Sequence, residues 1–83
     1  MTNIELATNI IVNYFEAEGI QEQTSTIAAR ATKWEARLTP IDALSLAAVA
    51  ISDPPESALT NEEIRQLREF YFPSTNITER SFI

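Results

Sequence analysis

The 83-residue chain has no cysteine, no histidine, one glycine and one tryptophan. Each shortage excludes something. Without cysteine there is no disulfide framework to staple a small domain. Without cysteine and histidine the common zinc sites and the Cys- or His-based nucleophile–base pairs are ruled out. Bases are also scarce: 6 Lys and Arg stand against 12 Asp and Glu, for a net charge of −6. That balance disfavours general binding to phosphate backbones. It favours a protein partner, a basic one where electrostatics guides the encounter. No apolar run approaches the roughly 20 residues of a membrane span. The opening MTNIELATN carries no basic residue, so a secretory signal is not expected. The absence of cysteine fits a reducing compartment, and a cytoplasmic location is expected.

The chain does hold a strong helical pattern. Around it we expect an all-α bundle of four helices near 3–18, 25–38, 40–52 and 61–72. One domain covers residues 1–73, and a C-terminal tail covers 74–83. The third helix is the centre of the arrangement. Its stretch TPIDALSLAAVAI has only Asp42 and Ser45 as polar side chains after Pro40. A helix apolar on every side is a buried helix. Thr39 suits an N-cap, Pro40 the first helical position and Asp42 the first turn. Asp53 precedes Pro54 and leaves helical geometry. The core expected from all four helices is Ile11, Phe15, Ile27, Ala31, Trp34, Leu44, Ala47, Ala48, Ile51, Ile64 and Leu67.

The first helix opens with a capping-box pair, Thr2 and Glu5. It closes at Gly19, where a left-handed cap lets Ile20 turn back onto Phe15. Glu16 and Glu18 break a local rule, because the last helical turn favours cations. Glu22 follows them. Two readings compete for this corner. Either the Arg30, Lys33 and Arg37 stripe of the next helix lies alongside and compensates, or the acids serve a basic partner. The stripe also borders Trp34, a combination that single-stranded nucleic-acid binders use. Aliphatic stems packed over the indole account for it more simply.

The fourth helix repeats the capping pattern with Thr60 and Glu63, and Arg65–Glu69 has i,i+4 spacing. Its stretch LTNEEIRQLREFYF resembles the entering helix of an EF-hand. The following PSTNITERSF lacks the spaced ligands, the central Gly and the closing Glu of a calcium loop, so no metal is expected. The helix ends in Phe70-Tyr71-Phe72 before Pro73. Successive helical residues project about 100° apart, so three adjacent aromatics cannot all face one core. Tyr71 continues the Ile64/Leu67 stripe inward. Phe70 and Phe72 flank it, to be covered by the tail through Ile77, Phe82 and Ile83, or by another protein.

No Gly-rich phosphate loop, G-x-S-x-G elbow or metal-ligand spacing is present. The chain is therefore read as a non-enzyme without cofactor or metal. The expected function is that of a small acidic helical protein-binding module: an inhibitor, adaptor or regulatory subunit. Its expected contact residues are Glu16, Glu18, Glu22, Phe70, Phe72 and Phe82. The alternatives are a self-assembling structural subunit, which would form homo-oligomers, and an acidic mimic that blocks a DNA- or RNA-binding protein. A helix-turn-helix reader fits poorly, since the third helix has almost no base-reading side chains.

Overall fold

A computed structural model describes residues 2–73. They form an all-α bundle of four helices: α1 (Asn3–Glu18), α2 (Thr24–Leu38), α3 (Ala43–Ser52) and α4 (Asn61–Tyr71), with a short 3₁₀ turn at Glu56–Ala58. None of these helices is long and apolar enough to cross a membrane.

The termini of α1 follow the local chemistry of the sequence. Thr2 Oγ1 accepts from the Glu5 N–H, and the Glu5 carboxylate accepts in return from the Thr2 N–H. Gly19 takes the left-handed conformation, φ 73°. Its N–H reaches the Glu16 carbonyl, and the Ile20 N–H reaches that of Phe15 at 2.8 Å. These two bonds are the paired closure of a Schellman motif, which a side chain at Gly19 would strain.

The start of α3 differs from expectation. Thr39 and Pro40 do not begin it. Thr39 instead caps α2, with its N–H and its hydroxyl both on the Glu35 carbonyl, and the Thr39–Pro40 peptide bond is cis. Asp42 is the N-cap, its carboxylate accepting from the Ser45 N–H at 2.7 Å. An aspartate in extended backbone conformation reaches the open N–H groups of a first turn directly. Asn3 of α1 secures the approach to this cap by donating to the Ile41 carbonyl at 2.7 Å.

Starting α3 at Ala43 changes which residues are core. Leu44 falls in the first turn and is half-buried, whereas Leu46 through Ala50 are buried in unbroken succession. Burial of five consecutive residues means the helix is covered on all sides, and α3 packs against each of the other three helices. Ala47, Ala48 and Ala50 supply the small surfaces that allow this. Ala7, Ile11 and Phe15 from α1 and Ile27, Ala31 and Trp34 from α2 complete the core. Ile51, Ile64 and Leu67 sit partly exposed at its edge, since α4 lies against one side only and buries no residue fully.

Two details of α4 also depart from expectation. Only one arm of its capping box forms, from the Glu63 N–H to Thr60 Oγ1. Arg65 pairs with Glu62 rather than Glu69, which instead meets Arg68.

The revised register has a direct consequence. Leu46→Ala should cost about 2–5 kcal/mol through the cavity it leaves. Leu44→Ala, at a half-buried site, should cost clearly less. Urea unfolding of the two variants ranks them, and a larger loss for Leu44→Ala would contradict this placement of α3.

Candidate functional site

Two surfaces stand out: an aromatic end where α4 meets α1, and a cleft where α1 turns into α2.

The aromatic end is built from edge-on contacts. Tyr14 of α1 meets Tyr71 with ring centroids 5.6 Å apart and planes at 88°. It meets Phe72 at 5.8 Å and 69°. Such pairs contribute about 0.5–1.5 kcal/mol beyond the area they bury. Tyr71 and Phe72 are thereby half-buried against the bundle. Phe70 is not: its ring stands at 89° to Tyr71, 5.0 Å away, and is 77 % exposed. The sequence argument that the three aromatics cannot share one core is realised here, with Phe70 as the residue left outside. Phe82, Ile77 and Ile83 lie outside the described residues. Burial holds the Tyr14 phenol above its ordinary value, with the negative charge of Glu18 and then Tyr71 adding to the shift.

The cleft is an open hollow of about 610 Å³. Val12, Phe15, Ile20 and Ile27 supply its apolar lining, and Glu16 and Glu22 its charge. Sequence reading placed Glu16, Glu18 and Glu22 in one acidic corner. The structure divides them. At about 100° per residue, Val12 and Glu16 share one flank of α1, and Tyr14 and Glu18 share the opposite one. Glu16 and Glu22 therefore line the cleft, while Glu18 sits beside Tyr14.

The basic stripe of α2 is directed mostly elsewhere. Arg30 pairs with Glu22 through both terminal nitrogens, and its Nε is buried with no hydrogen-bond partner. Lys33 reaches Asp53 at 2.8 Å, and Arg37 reaches Glu56 at 2.9 Å. Compensation of the acidic corner thus holds for Glu22 alone. Glu16 and Glu18 have no ion pair among the described residues.

Asp53 does more than end a helix. It is a junction. Its backbone adopts the left-handed region, φ 47° and ψ 56°, which Asp tolerates better than most residues. Its Oδ1 accepts from Trp34 Nε1 at 2.8 Å as well as from Lys33 Nζ. The ammonium also lies 4.9 Å from the centre of the Trp34 ring, within cation–π range. Trp34 is 1 % exposed, so its ring offers no surface on which a base could stack. A buried indole N–H needs an acceptor, and that was the available signal for Asp53.

The hydrogen bonds from Lys33 and Trp34 hold the Asp53 carboxyl below its usual value of 3.8. A depressed carboxylate stabilises the fold above its unfolded pKa and loses that contribution as pH falls through the folded one.

No protein-family model matches the sequence, and no curated protein or solved structure is significantly similar to it.

Asp53→Asn keeps an acceptor for the indole and tolerates the left-handed backbone, but removes the charge. The stability difference between wild type and variant should be constant above about pH 5 and shrink as pH falls below 3.8. Urea titrations between neutral pH and the acid limit measure it. A difference that persists unchanged at the acid end would mean the charge of Asp53 is not what the variant removed.

Proposed function

We propose that the chain is a small acidic protein-binding module, acting by surface contact rather than by catalysis. It serves as an inhibitor, adaptor or regulatory subunit. The observation that carries this reading is the exposure of Phe70. A phenylalanine left in water forgoes about 1.5–3 kcal/mol of burial. Here the ring is held out on a packed aromatic platform of Tyr14, Tyr71 and Phe72, the arrangement of an anchor that fills a pocket on a partner. Phe72 acts in this reading as part of the platform rather than as the anchor. Glu18, on the same flank, supplies negative charge at the rim, where it guides encounter more than it adds affinity. A cytoplasmic setting accords with a chain that has no cysteine.

Self-assembly is the competing reading, because an exposed aromatic serves a second copy as readily as a different protein. The two separate on the behaviour of the purified chain and of Phe70→Ser. That substitution lies at an exposed site and removes only the edge contact with Tyr71, so it should cost no more than about 1.5 kcal/mol and leave the bundle folded. The module reading expects a monomer by sedimentation, and a protein captured from native lysate by wild type but not by the variant. A wild-type oligomer that Phe70→Ser dissolves would establish self-assembly instead. Capture of the same proteins by both forms would refute the role of Phe70.

A further inference from the structure

The cleft between the end of α1 and the start of α2 is separate from the aromatic end, and its chemistry specifies a different contact. Its apolar lining is accessible at Ile20, which is 47 % exposed. The lining continues along α1. Ile4, Glu5, Thr8, Asn9 and Ala28 border a second hollow of about 220 Å³. Glu5, Val12 and Glu16 share this flank of α1 at helical spacing. From residue 5 to residue 16 the flank runs about 17 Å, the length of a short peptide helix.

The unpaired charge along this path is of one sign. Glu5 and Glu16 border the two hollows without an ion pair among the described residues, Glu22 is held by Arg30, and no base lines either hollow. Glu16 also lies in the last turn of α1, which contains no basic residue although the helix dipole favours a cation there. Within the described residues every base already has a carboxylate of the same chain: Arg30 with Glu22, Lys33 with Asp53, Arg37 with Glu56, Arg65 with Glu62 and Arg68 with Glu69. A second copy would thus bring no unpaired cation to the flank from these residues. The complement of a one-signed acidic path over an apolar furrow is an amphipathic segment with cationic edges.

We propose that the α1–α2 cleft seats a cationic amphipathic segment of a partner protein. Its apolar side chains pack on Val12 and Ile20 above the buried Ile27, and its Lys or Arg residues lie against Glu16 and Glu5. This contact is independent of Phe70 and stands or falls separately.

The test uses the full chain, ¹⁵N-labelled, titrated with a synthetic 14-residue Leu/Lys amphipathic peptide and with its Leu/Glu counterpart. Amide shifts locate the contact. The Leu/Lys peptide should cause saturable shifts at Val12, Glu16, Gly19, Ile20 and Ile27, weakening as salt rises, while the Leu/Glu peptide causes none. Glu5→Gln combined with Glu16→Gln should weaken binding about fivefold, in keeping with two exposed ion pairs. Glutamine preserves the capping arm at position 5, and both changes leave the Arg30–Glu22 pair intact. Ile20→Ser should weaken binding while shifts outside the cleft stay as in wild type. The proposal is overturned by shifts centred on Phe70 or spread over the whole surface, by equal binding of the Leu/Glu peptide, by affinity within twofold of wild type in the double variant, or by the absence of saturable shifts. Truncation after Ser74 tests the chain's own tail as occupant. If removing the tail alone moves the cleft amides, the cleft holds the tail and not a partner.

Discussion

Asp53 accepts both the indole N–H of Trp34 and the ammonium of Lys33 on one carboxylate oxygen. Trp34 is the largest fully buried side chain of the bundle, and its nitrogen is a polar atom whose burial would be penalised if it had no acceptor. Satisfying it from the C-cap of α3 ties α2 to the central helix at a defined height. It also fixes the direction of the next charge. With Lys33 drawn to Asp53, and Arg37 to Glu56 just beyond it, two bases of the stripe face the loop after α3.

The surface electrostatics follow from this commitment. Sequence reasoning could place Arg30, Lys33 and Arg37 on one face of a helix but not say which acids they would meet. Had they met the first helix, Glu16 and Glu18 would be neutralised. Because they meet Glu22, Asp53 and Glu56 instead, α1 keeps an uncompensated acidic end. The cost there is small, a few tenths of a kcal/mol at an exposed terminus, so the fold tolerates it and the charge remains available for recognition. The aromatic end has a related origin. α4 lies against one side of the bundle, and its final turn must dispose of three rings where the core has room for part of them.

Much of the fold was legible because its signals are local. The capping box of Thr2 and Glu5, the left-handed turn at Gly19 and the all-round apolar character of the third helix each act within a few residues. The start of α3 was misread for a related reason. Thr39-Pro40 and Asp42 are both valid helix openings, and nothing local decides between them. The choice falls to contacts across the chain, such as Asn3 on the Ile41 carbonyl and the end of α2 at Thr39. Leu44 and Leu46 exchange their expected places as a result. That Phe70 or Phe72 would be left outside was legible from the three adjacent rings, but which of them was not, because that depends on Tyr14 of α1 meeting Phe72. The cleft was not legible, since it exists only where the Schellman turn and the first residues of α2 come together.

The junction at Asp53 is open to direct observation through the proton it immobilises. Hydrogen exchange at Trp34 Nε1 can be followed by NMR in a chain with a single indole. With the bond to Asp53 in place and the ring 1 % exposed, that proton should exchange far more slowly than in a free indole. Asp53→Ala should accelerate it without unfolding the bundle. Exchange at the free-indole rate in the wild-type protein, or a rate untouched by Asp53→Ala, would contradict the account.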